Sequence, residues 1–404
     1  MYIEKIGSVV KDIGSVMITG LQISDSKKCF FGLARELIQK GEPIWLFDGT
    51  LNGNEQKKLI EYAISQGYRI YFFGEENMFS QTIDIMSISD NLTKKAEILS
   101  DAVCDYKTDI KREVAVRFFK NAVTAKMSDG EAFRVADVIG QNLEQIKLSV
   151  KETDLLSEDK KQEETIFLSS SEVKNLAYYL NKRKERLHDM HFLDFISGNK
   201  NISEIENSKS MLFFSYYSAS SEQKKDYGTL SEKFMDICGM LIDDMNYYER
   251  KYHIFISDVK NIQSERIRAL AEKTSECTSN MFPMCILSRS DDDVCVKLDE
   301  ISSAFDTIMI FKVSQKESLL WSSFFPPVKK SNISYSYSRK KSPFGNFYPP
   351  GGVVERNDRK MSGMNVSKEE KPRYQPDFFT RRMAANACLI YDRRDDKQKK
   401  LTFN

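Results

Sequence analysis

The sequence predicts an α/β protein built on a doubly wound, mostly parallel β-sheet, with an all-α domain inserted into it and an extended C-terminal tail. Short apolar runs alternate with amphipathic helical patterns over residues 15–73 and again from residue 208 to about 315. Between these two stretches the chain keeps a helical periodicity and has almost no β-branched runs. These observations predict one sheet domain that is interrupted by helices.

Residues 1–104 are predicted to form the first part of the sheet domain. The apolar run Ser15–Gly20 ends in glycine, and the helical pattern that follows it closes at Lys40 and Gly41, as is typical of a helix C-terminus. A second strand, a second helix and a third strand are then predicted. Their bounds are Pro43–Asp48, Glu55–Gln66 and Arg69–Phe73.

Residues 105–207 are predicted to form the all-α insertion. Within it we expect the polar stretch Glu152–Glu164 to be a mobile loop. Strands and helices alternate again over 208–326, which completes the sheet domain. The predicted elements of this second part are the strand Met211–Tyr217, the helix Thr229–Tyr247, the strand His253–Asp258, the helix Ser264–Thr274, the strand Met284–Ser288, the helix Val294–Ser303 and the strand Asp306–Phe311.

Charge is unevenly distributed along the chain. The net charge is +1, but from Lys329 to the end there are 18 Lys and Arg residues against 8 Asp and Glu residues, so residues 1–328 carry −9. Pro, Gly, Ser and Tyr are frequent over 327–404, which predicts an extended basic tail. Single-stranded DNA is one partner that suits such a tail, because bases stack on its interleaved aromatic residues while phosphates meet its cations. A merely solvated tail, or a tail that lies against the acidic remainder of the chain, gives the same count. The cations expected to contact nucleic acid are Lys340, Lys341, Arg381, Arg382, Arg393 and Arg394.

Cysteine and histidine usage argues against two classes of site. The seven cysteines are scattered without a C-x-x-C pair, and there are three histidines, so neither a disulfide framework nor a zinc site is predicted. No apolar run reaches 18 residues, and the N-terminus has no signal-peptide pattern. We therefore expect a cytoplasmic protein without a membrane span.

The turn after the first predicted strand is similar to a phosphate-binding loop. In the pattern G-x-x-x-x-G-K-[ST], backbone N–H groups surround phosphate while the lysine and the hydroxyl reach phosphate and Mg²⁺. Here Gly20 begins the turn and Lys27 can serve as the lysine, at a spacing one residue too long. Ser26 replaces the second glycine, and Lys28 replaces the hydroxyl residue. The carboxylate of Asp25, about 4 Å from a phosphate oxygen, would repel it by on the order of 4 kcal/mol at an effective dielectric near 20. The pattern predicts weak nucleotide binding at best.

Asp258 is the second candidate, as both a catalytic and a metal-binding residue. It ends a predicted strand, where nucleotide hydrolases place the acid that holds Mg²⁺. Val259 follows it, where a glutamate would orient the attacking water. Capping of the helix Ser264–Thr274 or of its preceding loop explains Asp258 equally well. Because ligands of open α/β sheets bind beyond the carboxyl ends of the strands, we expect the Gly20 turn, Asp48 and Asp258 along one edge.

The order of these segments resembles that of the coupling proteins of type IV secretion and conjugation, in the RecA-like hexameric DNA-translocase group. The resemblance covers about residues 10–315. It rests on the altered phosphate loop, "GEPIWLFDGT", the all-α insertion, "SKSMLFFSYY", "YHIFISDVKNI" and "FPMCILSRSDDDV". Ser257–Asp258 and Asn261 match the family's acidic strand, whereas Ser288–Arg289 stands where the family has a glutamine-bearing sensor.

The resemblance implies a RecA-like nucleotide-binding domain that acts in the transfer of DNA or relaxase–DNA to a secretion channel, with ATP and Mg²⁺ as cofactors. Because the loop and the acidic strand depart from the family pattern, we expect a binding or scaffolding subunit with a degenerate ATP site. An active DNA-translocating ATPase and an adaptor that recruits substrate through the helical domain stay open as alternatives. The implied partners are proteins of the apparatus, in a homo- or hetero-oligomer. One of them would replace the family's N-terminal membrane anchor and recruit the chain to the inner face of the membrane.

Overall fold

The structure is a computed structural model, and it describes residues 2–10, 13–22, 24–75, 81–106, 110–130, 133–198, 200–206, 208–217, 221–247, 252–259, 262–275, 283–290, 295–339 and 359–403. Its first part begins with a helix that was not predicted, and then alternates strands and helices as the sequence predicts. The elements are α1 (Tyr2–Gly7), β1 (Val16–Gly20), α2 (Ser26–Lys40), β2 (Ile44–Asp48), α3 (Gly53–Ser65) and β3 (Arg69–Phe73).

The middle part is helical apart from two strands of two residues each. Its elements are β4 (Ile83–Asp84), a 3₁₀ turn (Ile85–Ile88), α4 (Leu92–Val103), α5 (Arg112–Ser128), α6 (Val135–Gly140), α7 (Leu143–Glu152), α8 (Glu158–Leu168), α9 (Ser171–Asp189), α10 (Phe192–Ile196), β5 (Lys200–Asn201) and a second 3₁₀ turn (Ile202–Glu206).

The stretch that we expected to be a mobile loop, Glu152–Glu164, is largely helical, because most of it belongs to α8. Charged contacts explain the difference. The guanidinium of Arg117 on α5 binds the carboxylates of Glu163 and Glu164 at 2.6 and 3.0 Å. Polar residues that look like a solvated loop in sequence therefore fasten a helix to its neighbour.

The last part returns to alternating strands and helices and then to strands alone. Its elements are β6 (Ser210–Ser215), α11 (Ser221–Tyr247), β7 (His253–Ser257), α12 (Ser264–Ser275), β8 (Met284–Arg289), α13 (Cys295–Ser302), β9 (Thr307–Ile310), α14 (Gln315–Phe324), β10 (Val328–Arg339), β11 (Arg359–Lys371), a π-helical turn (Phe378–Arg382), β12 (Ala387–Asp392) and β13 (Lys397–Thr402).

Within the described residues, nine of the strands form one sheet in the order β13-β12-β9-β1-β8-β7-β2-β6-β3. The run from β9 to β3 is parallel throughout, and β12 and β13 extend it in antiparallel fashion. The predicted α/β class with a mostly parallel sheet is confirmed.

Helices cover both faces of the sheet. Successive residues of a strand point to opposite faces, so Trp45 and Phe47 join one hydrophobic core while Ile44 and Leu46 join the other. The core on one face is completed by α1, α2 and α3, and the larger one by the helices from α4 to α14. Among the described residues, no helix combines the length and apolar character that crossing a membrane requires.

The end of the chain differs from the extended tail predicted over 327–404. Strand β12 pairs with β9, and its residues Cys388 and Ile390 are buried in the core that α1, α2 and α3 cover. Strands β10 and β11 pair with each other as a separate antiparallel ribbon. The basic composition did not predict these strands, because β13 is an edge strand whose lysines are exposed. Lysine-rich edge strands are a common protection against further strand pairing.

Candidate functional site

Several of the residues singled out in the sequence lie at the carboxyl edge of the parallel strands. Gly20 is the last residue of β1, Asp48 is the last of β2, and Asp258 directly follows β7. Strand β8 lies between β1 and β7, so one strand separates Gly20 from Asp258. In register, Gly20 pairs with Arg289 at the end of β8. The expected common edge is therefore present.

Three backbone amides of the turn after β1 are hydrogen-bonded within the protein. The N–H of Leu21 donates to the carbonyl of Lys312 at 2.7 Å, and the N–H of Ser24 donates to the carbonyl of Leu21 at 2.9 Å. The N–H of Asp25 donates at 2.9 Å to the carbonyl of Ala385, just before β12. Phosphate-binding loops hold their ligand with such amides. Here three of these donors have carbonyl partners.

Gly20 is held in close contact with this turn. A Cβ atom at Gly20 would lie 2.5 Å from the Ser24 hydroxyl oxygen and 2.8 Å from the Cβ of Phe311. The Ser24 hydroxyl donates to the carbonyl of Leu21 at 2.6 Å and lies 3.0 Å from the hydroxyl of Ser26. Both serines are buried. Glycine is required because the turn folds back onto the end of β1.

The two lysines of the candidate loop are ion-paired. The Lys27 ammonium lies 3.0 Å from the Glu55 carboxylate on α3 and also donates to the carbonyl of Thr50 at 3.3 Å. Burial acts to raise the pKa of Glu55, but the hydrogen bonds from Lys27 and from the Asn52 backbone outweigh it and lower this pKa. Lys28 is exposed, and its ammonium lies 2.8 Å from the Asp25 carboxylate.

Asp48 holds the end of β2 to the end of β7. Its buried carboxylate accepts hydrogen bonds from the Thr50 N–H and hydroxyl at 3.1 and 2.8 Å, from the Leu51 N–H at 2.9 Å, and from the Ser257 hydroxyl. Burial raises its pKa, and these hydrogen bonds work in the opposite direction. A carboxylate with so many internal donors is built to fix the turn after β2.

Asp258 is in the left-handed region, with a φ of 53°, and it is 6% exposed. The side chain of Val259, where a second carboxylate was sought, is buried in the hydrophobic core. Nearby, Tyr216 donates its hydroxyl hydrogen to the carbonyl of Ser257. Burial raises the pKa of this phenol, and the carboxylates of Asp258 and Asp48 raise it further. Within the part of the chain that the structure describes, no group of three or more His, Cys, Asp and Glu side chains is arranged to hold a metal.

Glu317 is a buried carboxylate that the sequence analysis missed. It lies in the first turn of α14 and accepts hydrogen bonds from the Thr19 hydroxyl at 2.6 Å and from the Trp321 indole at 2.8 Å. Thr19 immediately precedes Gly20, so Glu317 fixes the end of β1. The signal was available, because Ser314 caps α14 and stands three residues before Glu317, a spacing typical of a helix start.

Most of the described cations expected to bind nucleic acid already have internal partners. Arg394 pairs with Asp306 at 2.8 Å, and Arg393 donates to the carbonyl of Ser303. Both contacts lie at the amino edge of the sheet, opposite the loop. Arg382 pairs with Asp377 at 2.7 Å. Arg381 lines a cavity of about 570 Å³ beside Leu21. Lys340 and Lys341, like Asn261, lie outside the described residues.

Comparison with known proteins gives matches at the level of structure. No family model matches the chain, and no curated protein matches it. The bacterial conjugative coupling protein TrwB, in an unbound monoclinic form, matches with a TM-score of 0.58 and 11% identity, over 97% of this chain and 85% of that chain. Its complex with ADP and Mg²⁺ matches with a TM-score of 0.58 and 12% identity, over 97% and 86% of the two chains. Its complex with the GTP analogue GDPNP matches with a TM-score of 0.57 and 11% identity, over the same shares. The predicted RecA-like class is thereby confirmed, and this chain has the fold of the conjugative coupling protein TrwB.

Proposed function

We propose that this chain is a coupling-protein-like component of a conjugative or type IV secretion apparatus, and that it acts as a binding or scaffolding subunit with a degenerate ATP site. A role in such an apparatus is supported by the fold, which this chain shares over nearly its whole length with a conjugative coupling protein. On this proposal the chain works in the cytoplasm, and a partner recruits it to the membrane.

The observation that carries the proposed loss of the ATP site is the hydrogen bonding of the loop. The amides of Leu21, Ser24 and Asp25 donate to carbonyl oxygens, and Glu55 binds the ammonium of Lys27. A triphosphate would have to displace these partners and would meet the Asp25 carboxylate. The residues present therefore do not fit ATP and Mg²⁺ in this conformation of the loop.

The acidic strand supports the same proposal. Asp258 is the carboxylate that directly follows β7, and the next side chain, Val259, is buried in the core. One carboxylate could contact Mg²⁺, but Val259 stands where a second carboxylate would orient an attacking water. The neighbouring carboxylate of Asp48 is engaged by the Thr50, Leu51 and Ser257 donors. We propose that the sheet has kept its architectural role and that hydrolysis has been lost.

The test is DNA or substrate transfer in cells that carry the apparatus. Deletion of this chain should abolish transfer, and the Lys27→Ala variant should restore it as fully as the unaltered chain does. Failure of Lys27→Ala to restore transfer, with the variant present at normal level, would favour an active ATPase. Undiminished transfer after deletion would contradict a role in the apparatus.

The helical region supports a second candidate function, recruitment of a substrate protein. Exposed large apolar side chains are common there among the described residues, and where such side chains form a contiguous patch they mark an interaction site. They are Met127, Leu148, Leu155, Ile166 and Tyr178. The test measures whether the full chain captures a relaxase. If the helices recruit the relaxase, an Ile166→Glu, Tyr178→Glu variant should no longer capture it.

A further inference from the structure

We propose that the groove between α2 and α3 is a docking site for an acidic amphipathic helix of a partner protein. The groove has a volume of about 970 Å³ and lies on the outer surface of the helices that cover one face of the sheet. The groove begins beside the candidate phosphate loop, since Ser24, Lys27 and Lys28 also line it. The inference goes beyond the proposed function, because it depends neither on the loss of nucleotide binding nor on the apparatus in which the chain works.

The walls of the groove suit a helix. One wall is α2 from Lys27 to Gln39, and the other is formed by Leu51 and by α3 from Glu55 to Tyr62. At a rise of 1.5 Å per residue the α2 wall is roughly 18 Å long, which corresponds to about three turns of a docked helix. Helices that bind in such grooves place apolar residues at i, i+3, i+4 and i+7 against the floor.

Tyr2 on α1 also lines the groove, and α1 is held against α2. The Glu36 carboxylate on α2 accepts hydrogen bonds from the backbone N–H groups of Tyr2 and Ile3. The Tyr2 ring lies so close to α2 that a Cβ atom at Gly32 would be 2.4 Å from it. The groove is therefore preformed, which reduces the entropy cost of binding.

The floor of the groove is apolar, with aromatic and aliphatic side chains from both walls. Phe31 contributes from α2, and Leu59 and Tyr62 contribute from α3. Arg35 lies over the Tyr62 ring, with its guanidinium carbon 5.6 Å from the ring centroid. Aromatic and arginine side chains are the residues that most often dominate binding energy at protein interfaces.

The charges that line the groove favour an acidic partner. Four cations and two carboxylates line the groove, and one of these cations, Lys28, is paired with Asp25 just outside it, which leaves a net charge of +1. At one end the Lys27–Glu55 ion pair joins the two walls. Beyond it, Arg35 on α2 and Lys58 on α3 are exposed, and neither forms an ion pair with any residue that the structure describes. Carboxylates on the flanks of a docked helix would complement these two rim cations.

The same charges disfavour a nucleic acid in this groove. Glu36 and Glu55 line it together with the cations, and a phosphate backbone laid along the groove would pass close to both carboxylates. Like charges at such distances repel. A helix avoids this conflict, because its apolar face meets the floor and its carboxylates reach only the rims.

The experiment measures binding of the full chain to a synthetic 18-residue helix with leucine at i, i+3, i+4 and i+7 and glutamate on both flanks, by fluorescence anisotropy. Its controls are the same peptide with lysine in place of glutamate and a scrambled glutamate peptide. The glutamate helix should bind at least tenfold more tightly than either control, and an Arg35→Glu, Lys58→Glu variant should weaken it about tenfold or more. Tyr62→Ala should also weaken it, while the matched control Lys57→Glu, at an exposed position outside the groove, should not.

The following results would contradict the proposal. Equal binding of the glutamate and lysine helices would overturn it, as would an equal effect of Lys57→Glu and of the rim variant in chains that melt normally. No binding of the glutamate helix at 1 mM would also overturn it. Competition by a single-stranded oligonucleotide that the rim variant abolishes would assign the groove to nucleic acid. A dimer of the chain that the rim variant converts to monomer would assign it to a second copy.

Discussion

The ammonium group of Lys27 lies 3.0 Å from the carboxylate of Glu55, so a lysine in the first turn of α2 is bound to α3. Glu55 also accepts a hydrogen bond from the Asn52 N–H at 3.1 Å and completes a capping box with that residue. One carboxylate thus holds the candidate phosphate lysine and the start of a helix. This arrangement makes the role of Lys27 testable by removal of its partner.

Glu55→Ala should lower the free energy of unfolding by about 1 kcal/mol, mainly through the lost helix cap, since a partly exposed ion pair contributes little. Urea denaturation measures this change. Glu55→Gln is the matched variant, because glutamine can keep the contact with the Asn52 backbone. Neither variant should gain micromolar affinity for Mg·ATP, because the amides of Leu21, Ser24 and Asp25 keep their carbonyl partners. Such a gain would identify Glu55 as the sole obstacle to nucleotide binding.

Lys233 should make stability depend on pH in the alkaline range. Its buried ammonium donates to the backbone carbonyls of Asp101 and Cys104 at the end of α4. Burial, with a contribution from Arg183, lowers its pKa from 10.5 to about 8. Between these two values the unfolded chain binds more protons than the folded chain, so the contribution of this group to stability should rise with pH, by up to about 3 kcal/mol.

The measurement is urea denaturation at intervals from pH 7.5 to 10, with Lys233→Met compared with the unaltered chain. The rise assigned to Lys233 should vanish in Lys233→Met. The matched control Lys57→Met, at an exposed position of α3, should keep the slope of the unaltered chain. Parallel curves for Lys233→Met and the unaltered chain would show that this ammonium is not strained by burial.

The contact between Gly14 and Asp306 should be essential to the attachment of the C-terminal strands. Gly14 has a φ of 59°, and a Cβ atom there would lie 2.3 Å from the Asp306 carboxylate that binds Arg394. Gly14→Ala should therefore lower the free energy of unfolding by about 2 kcal/mol or more. Gly130→Ala is the control, because Gly130 also has a positive φ but, apart from its chain neighbours, no atom that the structure describes lies within 4 Å of its added Cβ. Equal losses of unfolding free energy in the two variants would show that backbone strain at a positive φ, and not the contact with Asp306, causes the effect.

Sequence patterns found the sheet because each buried strand carries its own apolar run. From Ile44–Asp48 to Thr307–Ile310, the strands of the parallel sheet lie within one or two residues of the predicted bounds. The pairing of β12 with the sheet could not be predicted from such a run, because the short apolar run of β12 is surrounded by charged residues. The hydrogen bond from Asp25 to the carbonyl of Ala385 was equally hidden, since it joins backbone atoms at opposite ends of the chain. Local patterns identify Lys27, but only the fold shows that Glu55 binds it.

Binding of single-stranded DNA to the C-terminal region should depend on Lys340 and Lys341 more than on Arg393 and Arg394. The two arginines already have internal partners, and the charge of Arg394 is paired with Asp306. A Lys340→Gln, Lys341→Gln variant should lower the slope of log affinity against log salt by about 1.4, the value for two lost phosphate contacts. An Arg393→Gln, Arg394→Gln variant should lower stability and leave that slope unchanged. A lower slope in the arginine variant alone would place the DNA on β12 and β13.

The helical insertion should need α4 to be stable. We expected residues 105–207 to form a domain, but α4 precedes them, and its buried residues Ala96, Leu99 and Val103 belong to the same core as Phe119 of α5. A fragment of residues 90–207 should therefore show a cooperative thermal transition by circular dichroism. The fragment 105–207 should melt at a lower temperature or without cooperativity. Identical melting of the two fragments would support the predicted boundary at residue 105.

Calorimetric titration of the full chain with Mg·ATP, in parallel with a phosphate-release assay, tests the central claim most directly. The internal partners of Leu21, Ser24, Asp25 and Lys27 predict a dissociation constant weaker than about 1 mM, an affinity of only about 4 kcal/mol. Lys27→Ala should give the same result, and no phosphate should be released with or without single-stranded DNA. Micromolar binding that Lys27→Ala abolishes, accompanied by phosphate release, would contradict the account.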